Sequence, residues 1–177
     1  MGAEVILFIG EALSKYGFPE GHPFSVNRQG APWSDAQKQG LDRKDGVRAP
    51  RSATGEELLR FRDDTHVRWV EACSGQGSGF IDYGDTPAFP GVFEAGASVA
   101  GTALEGLRCI MAGEANRTFQ PVGGRHHSRR DRAAGFCVFN DVEQTAAGKM
   151  MVFGGGGYDL DDIASAWTAV LPEMTKP

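Results

Sequence analysis

The 177 residues carry 18 lysines and arginines against 23 aspartates and glutamates, a net charge of −5, with 41% hydrophobic and 23% charged residues. That balance fits one globular domain with a real core, and its net negative charge argues against nucleic acid or an anionic membrane as a partner. Cys73, Cys109 and Cys137 show no C-x-x-C spacing and the apolar run in MGAEVILFIGEALSK is too short for a secretion signal or a membrane span, so the expected location is a reducing cytoplasm.

In chain order, Val5 to Ile9 reads as a short buried strand and YGFPEGHPF (16–24) as a turn-rich loop. Three amphipathic helices are predicted next. They cover 31–41, with Pro32 in the first turn; 52–61, opened by a Ser or Thr cap; and 63–73, with Val67, Trp69 and Val70 along one side. Residues 75–91 read as a loop. Val99, Ala103, Leu104, Leu107, Ile110 and Met111 then recur at helical spacing until Gly113. RTFQPV (117–122) predicts a strand, GFCVFN (135–140) begins another element, KMMVF (149–153) is an apolar strand, and DDIASAWTAVL (161–171) is a helix ended by Pro172. Strands alternating with helices predict an α/β fold: a three-layer α/β/α arrangement on a mainly parallel sheet, with a site at the carboxyl ends of the strands. The loops at 123–128 and 154–158 both fall there.

The first of these loops carries His126 and His127 between a glycine pair and the basic cluster Arg125, Arg129, Arg130 and Arg132. Adjacent side chains diverge on a helix or a strand, so the pair suits two proton-handling roles better than shared ligation of one ion. A turn stabilised by ring hydrogen bonds is the plainer alternative. Glycine is the one unusual count, 25 residues, about twice average usage, with GQGSG at 75–79 and GGGG at 154–157 marking sharp turns or close approaches. The second run is no dinucleotide loop, because Asp159 stands where the third glycine would be needed.

GGRHHSRRDRAAGFCVFNDV (123–142) resembles the double-histidine and G-F-C-x-x-N-D signature of the zinc-dependent histone deacetylase superfamily. FGGGGYDLDDIASAWT (153–168) is similar to its glycine-run-tyrosine motif, GHPFSVNR (21–28) to its H-P-x-x-x-x-R element, and IDYGDTPAFPGVFEAG (81–96) to its D-x-P-x-F-x-G loop. The resemblance points most closely to the bacterial branch of acetoin utilisation proteins and acetylpolyamine amidohydrolases. It implies the arginase–deacetylase fold and zinc-dependent hydrolysis of an N-acetyl amide on a lysine or polyamine.

By this resemblance His126, His127 and Tyr158 would be catalytic: the histidines handle protons and the tyrosine hydroxyl stabilises the oxyanion. Asp85 would grip substrate backbone, Phe136 would line the acyl tunnel, and Gly156 in the glycine run would let the backbone approach the substrate. Arg28, with His22, would lie beside the cavity where acetate leaves. Alone, the same residues read as a turn aspartate, a core phenylalanine, a flexible turn, a surface arginine and a loop histidine. His66 reads as structural, and Arg125 replaces the family's usual apolar residue.

The resemblance is interrupted. Between FNDVE (139–143) and KMMVFGGGGY (149–158) the family carries a long segment, replaced here by QTAAG, and that segment holds the zinc-ligating Asp-x-His pair and a later Asp. Asp141 belongs to the N-D pair, and Asp159, Asp161 and Asp162 open the last helix. No metal ligand is therefore assigned, and no zinc is expected on this chain although zinc is the family's cofactor. The expectation is one deacetylase-like domain with an internal deletion, 1–143 and 149–177 being its two parts, with an incomplete sheet, exposed apolar faces on the helices at 95–112 and 161–171, and no activity alone. The alternatives are a non-catalytic binder of acyl-amines or protein that keeps Asp85, Phe136 and Tyr158, or a defective gene product.

Overall fold

A computed structural model describes residues 3–18, 21–22, 24–40, 42, 46–142, 151–153, 160–161, 164–166 and 168–169. Its elements are β1 (Ala3–Phe8), α1 (Glu11–Ser14), a 3-10 turn (Val26–Gln29), α2 (Gly30–Lys38), β2 (Gly46–Arg48), α3 (Gly55–Leu59), α4 (Asp64–Gln76), α5 (Val92–Met111), β3 (Ala115–Gln120) and β4 (Met151–Phe153). The strands form one sheet in the order β2-β1-β3-β4. Every neighbouring pair is parallel, with Leu7 opposite both Val47 and Phe119 and Phe119 opposite Val152. Parallel neighbours need crossovers, and the helices supply them.

β1 shows why the sheet is covered on both faces. Its apolar run does not alternate with polar residues: Ile6 and Phe8 enter the large core with Leu13, Val70, Val99 and Ala100, while Val5 and Leu7 meet Ala36, Phe119 and Trp33 on the other side. A strand buried on both faces reads as a continuous apolar stretch, and each such side chain contributes about 1.5–3 kcal/mol. The α/β/α class is as predicted.

Helix α5 carries the large face. Val92, Val99, Ala100, Ala103, Cys109 and Ile110 are buried, so the apolar stripe expected to lie open on this helix is covered, and Met111 at its end is the large exposed residue, 65% accessible. The chain before α3 lies directly on it: the N–H of Ala53 donates to the Ala97 carbonyl at 2.8 Å, and that of Arg51 donates to Thr102 Oγ1 at 3.1 Å. Gly101 permits this approach, because a Cβ there would run into the backbone of Arg51–Ala53.

Other boundaries differ from the sequence reading for local reasons. α4 runs three residues further, to Gln76, and is capped by Gly77 with φ 67°, while Trp69, expected on its buried side, is 50% exposed because it lies a full 100° around the helix from Val70. Its indole N–H reaches the Ile81 carbonyl at 2.8 Å. β3 stops before Pro121, which has no N–H for the ladder. α1 and β2 are too short to show periodicity. The element expected from 135–140 is instead a series of turns with isolated bridges, Arg129 to Arg132 and Ala134 to Cys137. The last helix is helical at its described positions between 160 and 169. No helix among the described residues is long and apolar enough to cross a membrane.

α3 opens with a capping box. Thr54 Oγ1 accepts from the N–H of Glu57 at 3.2 Å, and the Thr54 N–H donates to Glu57 Oε2 at 2.8 Å. Arg51 grips both oxygens of the same carboxylate at 2.8 and 3.0 Å.

Two outcomes are expected. Gly101→Ala should lower stability by about 2 kcal/mol through overpacking, against the roughly 1 kcal/mol that alanine favours in an open helix; a raised denaturation midpoint would contradict this packing. The Arg51 guanidinium and the Thr54 N–H hold the Glu57 carboxyl down at about 2, from an ordinary 4.5. Its stabilising effect is complete above pH 4.5 and disappears as pH falls toward 2. Glu57→Gln should therefore make the loss of stability across that window shallower, as read from urea midpoints.

Candidate active site

The segment that leaves β3 reaches the carboxyl end of the sheet and has no helix or strand between 121 and 142. Its buried backbone groups must therefore find side-chain partners. Gln120 begins this, donating from Nε2 to the carbonyls of Val122 at 2.6 Å and Val99 at 3.1 Å. Asp141, fully buried, does most. Its Oδ2 accepts from the Gly124 N–H at 3.0 Å and its Oδ1 from the Arg125 N–H at 2.5 Å. Asn140 Nδ2 donates to the carbonyls of Ser128 at 3.0 Å and His126 at 3.4 Å. From α4's entry, buried Arg62 donates to Ser128 Oγ at 2.7 Å and to the Arg129 carbonyl.

On this frame His126 and His127 are both exposed, with ring centroids 4.1 Å apart and planes inclined by 39°. The expectation that adjacent histidines diverge is corrected: the loop is neither helix nor strand, so neither regular geometry applies. His126 Nδ1 lies 2.9 Å from the Gly124 carbonyl. A carbonyl only accepts, so Nδ1 carries the hydrogen and, in the neutral ring, the Nε2 lone pair faces away as a possible base. His127 packs on Gly135, where a Cβ would approach its Cβ and Cγ to 3.0 Å.

Phe136 follows, with φ 65°, the non-glycine residue of positive φ among those described. Such backbone is uncommon for a bulky residue and is held here from both sides. Its N–H donates to Thr86 Oγ1 at 3.2 Å, and its carbonyl accepts from the Tyr16 hydroxyl at 2.8 Å, which in turn accepts from the Val138 N–H at 3.1 Å. Burial pushes the Tyr16 hydroxyl far above its usual range and raises the Cys137 thiol too, so both stay neutral. The Phe136 ring meets His22 edge-on at 4.6 Å and Phe18 at 5.9 Å.

Thr86 also ties in the loop of Asp85. The Asp82 carboxylate accepts from the N–H groups of Gly84, Asp85 and Thr86 at 3.2, 2.9 and 2.7 Å and from Thr86 Oγ1 at 2.7 Å. These hydrogen bonds lower its pKa against the opposing effect of burial, the largest single influence. Asp85 itself is exposed at the loop tip.

Burial decides two placements. Arg28 is 1% exposed, with its guanidinium 4.3 Å over the Phe24 ring, which removes the plainer reading as a surface arginine. Arg125 is also buried, standing 4.1 Å over Phe24 and 4.8 Å over Tyr16, beneath the histidine loop. His22 packs on Phe136, with Nδ1 accepting from the Phe24 N–H at 3.0 Å. His66 is buried and its Nε2 donates to the Val138 carbonyl at 3.1 Å, a structural role as expected. Tyr158 and Gly156 lie outside the described residues.

The structure thus brings His126, His127 and Phe136 together and ties the loop of Asp85 to them through Thr86. Asp82, Thr86, Asn140 and Asp141 were missed as organisers, since their partners depend on the three-dimensional path of the loops and follow no periodic pattern. Among the described residues no three His, Cys, Asp or Glu side chains converge to hold a metal ion, so this donor set does not fit a zinc centre.

The histone deacetylase domain family matches residues 22–147. The acetoin utilization protein AcuC of Bacillus subtilis (strain 168) is 31% identical over 146 residues, covering 77% of this chain and 37% of that protein. Histone deacetylase 8 of Xenopus tropicalis is 31% identical over 110 residues, covering 58% of this chain and 30% of its own length. The chain thus spans about a third of these relatives. The crystal structure of the HDA15 HD domain superposes with a TM-score of 0.74 at 20% identity, covering 93% of this chain and 44% of that one, and so shares its arginase–deacetylase fold. Family match, AcuC similarity and fold agree: the chain belongs to the histone deacetylase family.

Proposed function

We propose that this chain carries the acyl-amide-facing half of a deacetylase site, shaped for an acetylated lysine or polyamine, and does not hydrolyse that amide by itself. The observation that carries the reading is the paired arrangement of His126 and His127 beside Gly135 and Phe136. In the family reaction zinc supplies the Lewis acid that activates water. An ordinary water has a pKa of about 15.7, roughly nine units above imidazole, so the histidines alone cannot deprotonate it usefully. Tyr158 would stabilise the oxyanion and Gly156 would admit the substrate. Arg28, packed on Phe24, would lie beside the cavity where acetate leaves, and Asp85 would hold substrate backbone at the rim.

On this reading the chain is one domain, 1–143 and 149–177 flanking an internal deletion. Three buried, unpaired cysteines support a reducing cytoplasm as its setting. A binding role without catalysis is favoured by Phe136, whose backbone is fixed on both sides before any ligand arrives.

The test combines elemental analysis of the purified protein for zinc and iron with assays on an acetyl-lysine peptide and an acetylpolyamine, each with and without added Zn²⁺. Substoichiometric metal and no turnover above buffer are expected. One zinc per chain, with activity abolished by a chelator and by Tyr158→Phe, would restore the enzyme reading.

A further inference from the structure

The peptide group joining Gly124 to Arg125 is bonded at both ends. Its N–H donates to Asp141 Oδ1 at 2.5 Å, and its carbonyl accepts from His126 Nδ1 at 2.9 Å. A peptide is planar, so its N–H and C=O turn together, and a group that fixes one fixes the other. The second carboxylate oxygen, on the Gly124 N–H at 3.0 Å, holds the preceding peptide and prevents rotation about the Gly124 Cα. That restraint matters at a glycine, whose φ here is 71° and whose backbone is otherwise the freest in the loop.

From this geometry we infer that Asp141 is a positioning residue for His126: its carboxylate, relayed through the Gly124–Arg125 peptide, sets the ring's orientation and its Nδ1–H tautomer. This rests on the reading of His126 as a proton-handling group. Histidines in acid–base sites need one ring nitrogen held so that the other is presented as base. Here a main-chain peptide stands between the carboxylate and the ring.

Arg125 completes the arrangement. Arg125 is 4% exposed, its guanidinium lies over the Tyr16 and Phe24 rings, and its charge offsets part of the effect of burial, which still holds the Asp141 carboxyl above its ordinary range. An ionised carboxylate accepts hydrogen bonds more strongly than a protonated one, so the arginine keeps the relay taut. This accounts for a charged residue buried directly before the histidine pair.

The experiment needs neither metal nor turnover. In the full chain at pH 8, ¹⁵N-resolved spectra of the imidazole rings report the tautomer of His126, and amide exchange reports the loop. The parent should show a protonated Nδ1 and a bare Nε2. Asp141→Asn keeps the shape but replaces one acceptor by a donor, and should move His126 toward the Nε2–H form. Exchange at Gly124 or Arg125 should rise on the order of ten-fold, with α5 amides unchanged. Arg125→Leu, which keeps the peptide N–H, should move the tautomer the same way by less, and it serves if Asp141→Asn does not fold. An Nε2–H parent, or an unchanged tautomer in the variants that fold, would overturn the inference. Both outcomes are independent of whether the chain binds zinc or hydrolyses an amide.

Discussion

The carboxylate of Asp141 holds together the loop that carries the histidine pair. It sits 16 and 17 residues beyond the two amides that it accepts from, so its bonds close the long turn between the end of β3 and the N-D pair. Without regular structure in that turn, the backbone would otherwise leave buried N–H groups unpaired, at about 1–3 kcal/mol each. Asn140, Arg62, Tyr16 and Thr86 extend the same solution, each a side chain satisfying main chain far away in sequence.

The layered fold supplies the platform for this turn. Two-faced burial of β1, and α5 packed across the large face, make the carboxyl end of β3 a rigid point of departure. Gln120 then anchors the first residues of the turn to α5, and the loop of Asp85 is drawn in from the other side by Asp82 and Thr86. Phe136 stands where these two supports meet, which explains how a bulky residue can keep a left-handed backbone.

What could be read from sequence follows from range. The apolar run of β1, the period of α5 and the cap at Thr54 are local signals, and they placed the layers correctly. The motif around His126 and His127 pointed to the family. Trp69 was misjudged because apolar character was taken for burial, and the segment at 135–140 because its apolar residues serve a turn pinned by Tyr16 and Thr86. The stacking of the two histidines depends on the path of an irregular loop, the burial of Arg125 on Tyr16 and Phe24 about a hundred residues earlier, and the work of Asp141 on amides 16 and 17 residues before it. Neither periodicity nor spacing carries that information.

On the proposed reading, a chain spanning about a third of its relatives still assembles the acyl-amide-facing side of their site. Chemical-shift mapping with an N-acetyl-lysine amide, and with lysine amide as the control, tests it most directly. Saturable shifts are expected for the acetylated compound alone, centred on His126, His127, Phe136 and the loop of Asp85. Equal responses to both compounds, or shifts confined to surfaces away from that cluster, would contradict it.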